Sequence, residues 1–166
     1  MPPGGGCPQP LNCRAQSARG TRSQKIQLVV EKIDSSDEML PALQRVLSDC
    51  DVLLALPDSL VFNKNNAQSI LLTSYHYHDP VIGYSQAYVK AGALFAAYSM
   101  PTQIGRQAGE IIQHLLSAKP GTLPSPQYPK YFSVSVNYQV ARSLGIRMED
   151  ELVLVEKLKH TMEQEQ

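Results

Sequence analysis

Short apolar runs that stop at proline or polar residues, spaced by amphipathic stretches, constrain this chain most. Asp51-Val-Leu-Leu-Ala-Leu56 is too short for a typical helix, and Pro57 stops it. A continuous apolar run of that length suits a strand covered on both faces of a parallel sheet. Pro80 to Tyr84 reads the same way, and Ala91 to Tyr98 is a further strand candidate, Ala-rich enough to be helical. Upstream, Ile26-Gln-Leu-Val-Val30 is a β-rich run. Downstream, Tyr131 to Val136 alternates like a half-buried strand.

The stretches between have the helical period. Met39, Leu40, Leu43, Val46 and Leu47 form one stripe, behind Ser35 and Glu38 at capping-box spacing. Pro41 falls in the first turn, where proline is tolerated. Asn63 to His76 reads as helix, and Thr102 to Ser117 carries Ile104, Ala108, Ile111, Ile112, Leu115 and Leu116 on one face until Pro120-Gly121. Gly121 to Lys130 holds three prolines and reads as loop. Asn137 can cap a short helix through Leu144 that stops at Gly145. Glu149 to His160 closes the fold, and residues 161–166 form a polar tail. The expected fold is therefore α/β and doubly wound, a mostly parallel sheet flanked by helices over residues 25–160.

Residues 1–24 are rich in Pro, Gly, Ser, Arg and Gln, without hydrophobic period, and read as a disordered leader. They lack the apolar core of a secretory signal, and Leu11-Asn12-Cys13 has no apolar run before it. As written, the chain is expected in the cytoplasm. Fifteen basic and fifteen acidic residues cancel, which points away from nucleic acid. Cys7, Cys13 and Cys50 give neither a disulfide framework nor a zinc spacing. Cys50, at a helix end, reads as a plain buried thiol.

In a doubly wound sheet, ligands bind beyond the carboxyl ends of the strands. Three loops take that position: Glu31–Asp34, Pro57–Asn63 and Ser85–Lys90. Asp58 can neutralise a ligand's ammonium group there, or serve as a turn-former beside Ser59 and Asn63. Ser85, Gln86 and Tyr88 can offer a hydroxyl, an amide and an aromatic wall, or be ordinary loop residues. Asp34 can meet a ligand or cap a helix. His76 and His78, two apart, point in different directions on a helix and make a poor metal pair. Gly105 and Gly109, four apart, suggest close helix–sheet packing. No phosphate loop, nucleophile elbow or Ser–His–Asp order is present, so an enzyme is not expected and no cofactor is assigned.

The segments Leu56-Pro-Asp-Ser-Leu-Val-Phe-Asn63, Pro80-Val-Ile-Gly-Tyr-Ser85, Tyr88-Val-Lys-Ala-Gly-Ala-Leu94 and Gln103-Ile-Gly-Arg-Gln107 carry a resemblance. Pro126-Gln-Tyr-Pro129 and Val134 to Ala141 complete it in order. In that order they resemble the second lobe of ABC-transporter substrate-binding proteins of the type I periplasmic fold, from about Lys25 to Leu158. The resemblance implies two α/β lobes closing on a small ligand, an amino acid in some relatives, and delivery to an ABC permease from the periplasm or a lipid anchor. It also implies a missing N-terminal lobe, hence a truncated member. Asp58, Ser59, Ser85, Gln86, Tyr88 and Asp34 are the candidate ligand-binding residues. The alternatives are a non-functional truncated gene product and a cytoplasmic ligand-sensing or interaction domain.

Overall fold

The computed structural model describes residues 26–117 and 124–164. The expected leader and the Pro120-Gly121 stop lie outside the described residues. A 3-10 turn at Ser36–Glu38 leads into α1 (Met39–Asp49), followed by β1 (Leu53–Leu54) and α2 (Ala67–Tyr77). Next come β2 (Val81–Gly83), α3 (Gln86–Ala91), β3 (Phe95–Tyr98) and α4 (Pro101–Ser117). β4 (Ser133–Val136), α5 (Tyr138–Ser143) and α6 (Glu151–Gln164) complete the order.

The strands form one sheet in the order β1-β2-β3-β4. The first three run parallel, and β4 returns antiparallel to β3 with Phe95 opposite Val136. The expected α/β class and mostly parallel sheet are therefore present. One face of the sheet carries the main core: Met39, Leu43 and Leu47 of α1 and Ile70 and Leu71 of α2 pack with Leu53, Ala55, Val81, Tyr88 and Ala93. Of the stripe expected on α1, Met39, Leu43 and Leu47 are buried and Val46 packs against the cluster, while Leu40 is exposed and Ala42 is buried in its stead.

Several expectations shift. Ile26–Val30 is not a strand: among the described residues none of Ile26–Ile33 has a backbone hydrogen-bond partner in the backbone of another segment. A β-rich composition makes a strand only when a neighbour supplies the ladder. Glu38 reaches back to donate nothing but accept from the Asp34 N–H (3.1 Å), one residue earlier than the capping-box spacing implied. Ser35 is the N-cap without a side-chain cap bond.

α2 begins at Ala67 rather than Asn63, because Asn63 holds a turn of its own. Its Oδ1 accepts from the N–H groups of Asn65 (2.9 Å) and Asn66 (3.0 Å). Ser85–Lys90 is mostly helix, not loop, since Ser85 caps α3 and its Oγ accepts from the Tyr88 N–H at 3.3 Å. The Ala91–Tyr98 ambiguity resolves into both states: Ala91 ends α3, Gly92 turns at a φ of 131°, and β3 starts at Phe95. Thr161 to Gln164 extend α6, so the helix runs past the expected boundary of the polar tail. Gly105 and Gly109 are not packing contacts, as a Cβ on either would meet nothing within 4 Å. Cys50 is half-buried at the end of α1, and desolvation, with Asp79 nearby, pushes its thiol up.

Candidate functional site at the strand ends

Parallel β1, β2 and β3 present their carboxyl ends on one side, and two loops leave there. After β1, the segment Leu56–Asn66 is wound on its own side chains. The Asp58 carboxylate oxygen Oδ1 accepts from the backbone N–H groups of Leu60 (2.7 Å) and Val61 (2.6 Å). This is the turn-forming role, and it also fixes the carboxylate's orientation. Oδ2 has no hydrogen-bond partner among the described residues, and Asp58 is exposed. Asn63 Nδ2 donates to the carbonyls of Ser59 (3.0 Å) and Leu60 (3.1 Å), and Asn66 Nδ2 donates to the same Leu60 carbonyl (2.9 Å). The loop that presents Asp58 and Ser59 is thus held by amides that precede a helix.

The second element is the start of α3. Ser85 is half-buried, and Gln86 is exposed at the first helical position. Tyr88 faces inward: it is 5% exposed and belongs to the core cluster. Its ring lies 5.0 Å from that of Tyr84, tilted by 42°. Its hydroxyl is buried without a hydrogen-bond partner among the described residues, and burial pushes its ionisation up to about 12. Tyr88 therefore backs the site rather than facing solvent from it.

Tyr84 was not among the sequence candidates, yet it joins the two loops. Its hydroxyl donates to the Phe62 carbonyl at 2.8 Å, across 22 residues of chain. The strand ends of β1 and β2 are thereby tied at the level of the candidate residues. The only signal in the sequence was a tyrosine at the last position of an apolar strand, where an amphipathic ring can bury its face and use its hydroxyl at the rim. Gly83, just before it, is required by close approach: a Cβ there would stand 2.9 Å from Tyr88 Cβ.

Asp34 stands just before the 3-10 turn at Ser36–Glu38. It is exposed, pairs with Lys32 Nζ at 3.4 Å, and gives its N–H to Glu38. His76 and His78 lie at the end of α2, where His78 takes a left-handed cap with a φ of 65°. Among the described residues no group of three metal-ligating side chains comes together. Two concavities are found, and neither is lined by Asp58, Ser59, Ser85 or Gln86. One, of about 220 Å³, lies between α4 and Pro124–Lys130; the other, of about 280 Å³, lies between the end of β3 and α6. The carboxyl ends of β1 and β2 lead into the shelf of residues Asp58, Ser59, Ser85 and Gln86. No described helix is long and apolar enough to cross a membrane.

The segments after the carboxyl ends of parallel β1 and β2 carry the polar side chains Asp58, Ser59, Ser85 and Gln86. The family profile of ABC transporter substrate binding proteins matches residues 18–161, and the chain belongs to that family. A single lobe of the periplasmic-binding kind accounts for the sheet.

Three solved structures share the fold. A substrate-binding protein with adhesive properties from Clostridium difficile, in its ligand-free open form, superposes with a TM-score of 0.65 at 18% identity; the match covers 86% of this chain and 49% of that one. The ABC domain from Streptococcus pneumonia in complex with L-Trp gives 0.62 at 17% identity, covering 86% and 48%. A conserved domain protein from Vibrio cholerae O1 biovar El Tor gives 0.60 at 23% identity, covering 82% and 46%. The chain spans about half the length of each of these structures. No curated protein matches it.

Proposed function

We propose that this chain supplies one wall of a small-ligand site for ABC-type import, with an amino acid as the ligand class. The observation that carries this is the Asp58 carboxylate, anchored through Oδ1 at the carboxyl end of β1 with Oδ2 left for a ligand. A carboxylate held by two backbone N–H groups keeps its geometry without a cationic partner, which leaves it ready for a ligand's ammonium group. Ser59, Ser85 and Gln86 add hydroxyl and amide groups on the same shelf, while Tyr88 and Tyr84 stiffen it from behind. Asp34, whose carboxylate pairs with Lys32, is left out of this reading. The fold match to a protein bound to L-Trp supports the amino-acid class.

One lobe is half of a clamp. In a complete member, closure of a second lobe would enclose the ligand and create the shape a permease distinguishes. That complete protein would act outside the cytoplasm, and the N-terminal lobe and the permease are its partners. No bond is made or broken in this scheme, so the protein acts as a binder and not as an enzyme.

Isothermal titration of the 166-residue chain with the twenty amino acids, L-tryptophan first, tests the proposal. A hydrogen bond to a charged group contributes about 1.5–3 kcal/mol. Asp58→Asn should therefore weaken binding by roughly tenfold or more, with the circular dichroism spectrum unchanged. An unchanged affinity in the variant removes Asp58 from the site, and silence across all twenty removes the amino-acid class.

A further inference from the structure

The concavity of about 220 Å³ between α4 and Pro124–Lys130 carries a polar cluster that the ligand shelf does not use. Gln107, Glu110, Ile111 and His114 recur at three and four along α4 and so share one helix face. The facing wall is the segment Pro124–Lys130, whose prolines at 124, 126 and 129 restrict its backbone. Gln107 ties the two walls with both ends of its amide. Its Nε2 donates to the Tyr128 carbonyl (3.1 Å), and its Oε1 accepts from the Lys130 N–H (2.9 Å). The concavity is therefore bounded by two walls fixed to each other.

Glu110, at its centre, is already committed. Its carboxylate accepts from the Tyr131 hydroxyl (2.6 Å) and from Lys130 Nζ (3.0 Å), and Arg106 Nε stands 3.4 Å away. The Arg106 guanidinium also lies over the Tyr131 ring, 4.2 Å from its centre. The hydrogen bonds from Tyr131 and Lys130 hold the Glu110 carboxyl below the usual carboxylate range, and Glu110 in turn pushes the Lys130 ammonium up. Two cations thus face a single carboxylate, which leaves the cluster net positive. An ammonium has three N–H donors, and Glu110 takes only one from Lys130. His114 and Gln127 line the same concavity, and neither side chain makes a hydrogen bond among the described residues. Ile111 and Pro124 add an apolar patch.

We propose that this concavity is a second small-ligand site, built for a small monocarboxylate that carries no ammonium group. Lys130 Nζ, His114 and Gln127 Nε2 donate to the carboxylate oxygens, while Ile111 and Pro124 receive the carbon chain. The unbalanced positive charge selects an anion over a neutral molecule or a cation. It also disfavours a free amino acid, whose ammonium group would meet Arg106 and Lys130. The donors are exposed, and exposed ion pairs are individually weak, so the affinity is in the millimolar range. None of Asp58, Ser59, Ser85 or Gln86 lines this site, and the inference stands apart from what the shelf binds.

Amide spectra of the labelled 166-residue chain, titrated with sodium butyrate at constant ionic strength, test it. Saturable shifts are expected at Gln107–His114 and at Gln127, Tyr128 and Lys130. Butylamine and 2-aminobutyrate should leave those amides in place. A tripeptide, acetyl-Gly-Gly-Val with a free carboxyl end, should bind more weakly than butyrate, because the concavity is small. Lys130→Gln should weaken butyrate by about threefold or more, the scale of an exposed ion pair. Gln127→Ala breaks no hydrogen bond of the fold and should weaken it as well, so the test holds even if Lys130→Gln disturbs the wall. Absent or unsaturable shifts, equal shifts from butylamine or sodium chloride, or parental affinity in both variants overturn the site. Tighter binding of the tripeptide than of butyrate overturns the small-acid ligand in favour of a chain terminus.

Discussion

Gly83→Ala probes how the sheet positions the shelf. The added Cβ would stand 2.9 Å from Tyr88 Cβ and 3.4 Å from Ala93 Cβ. Both neighbours are Cβ atoms fixed to backbone, not the free ends of flexible side chains, so α3 itself must move. Overpacking of this kind costs about 1–3 kcal/mol. The lower entropy of the unfolded alanine chain returns about 0.4–1 kcal/mol. The net expectation is a destabilisation of about 1–2 kcal/mol, which lowers the midpoint of a thermal melt by a few degrees. Urea unfolding followed by circular dichroism measures it, with the slope unchanged if only stability is affected. Because α3 carries Ser85 and Gln86 at its start, amide shifts should also change at those two residues. A variant as stable as the parent, or more stable, refutes the claim that α3 is pressed against β2 at Gly83.

Tyr88→Phe removes a buried hydroxyl that has no partner, and should stabilise the chain by about 1 kcal/mol in the same assay. Since burial holds Tyr88 neutral in the folded state up to about 12, against 10 for the free side chain, its contribution is intact below pH 10 and is lost as pH rises to 12. The Phe variant should lose less stability than the parent over that range. The Asp79 carboxyl is pushed up by burial and by the Asp51 charge, and its Oδ2 is unpartnered. A raised carboxyl favours the folded state while protonated and loses that favour as pH rises through its folded value. Asp79→Asn should therefore raise the melting temperature at pH 7 and leave it nearly unchanged at pH 3. Asn137→Ala removes the cap on the N–H groups of Gln139 and Val140 and the bond from Nδ2 to the Val89 carbonyl. It should cost about 2 kcal/mol in chemical denaturation, since caps alone contribute about 0.5–2 kcal/mol.

The periodic elements were legible because their burial is local. Met39, Leu43 and Leu47 of the expected stripe become the buried face of α1, though Leu40 does not, and Asn137 and Gly145 bound α5 as capping chemistry requires. Ile26–Val30 was misread because a strand depends on its neighbour, and period-two composition says nothing about whether one is present. α3 was hidden in a short polar stretch, six residues long, whose helix rests on the Ser85 cap and on Tyr88 entering the core. At the shelf, Asp58 could be placed from Pro57 ending a strand. The Tyr84–Phe62 bond could not, because it joins positions 22 apart through a side chain and a carbonyl. Tyr88 looked like a wall residue from its place after β2, but helical geometry turns it inward.

The central claim is that the carboxyl ends of β1 and β2 form the ligand-facing shelf. Backbone amide spectra of the labelled chain, titrated with L-tryptophan and then with the other amino acids, test it most directly. The account predicts saturable shifts at Asp58–Asn63 and at Tyr84–Gln86, with the amides of Asp34 and of α2's His76–His78 end unmoved. Saturable shifts concentrated at either concavity beside α4 or α6, with Asp58–Asn63 and Tyr84–Gln86 silent, would contradict it.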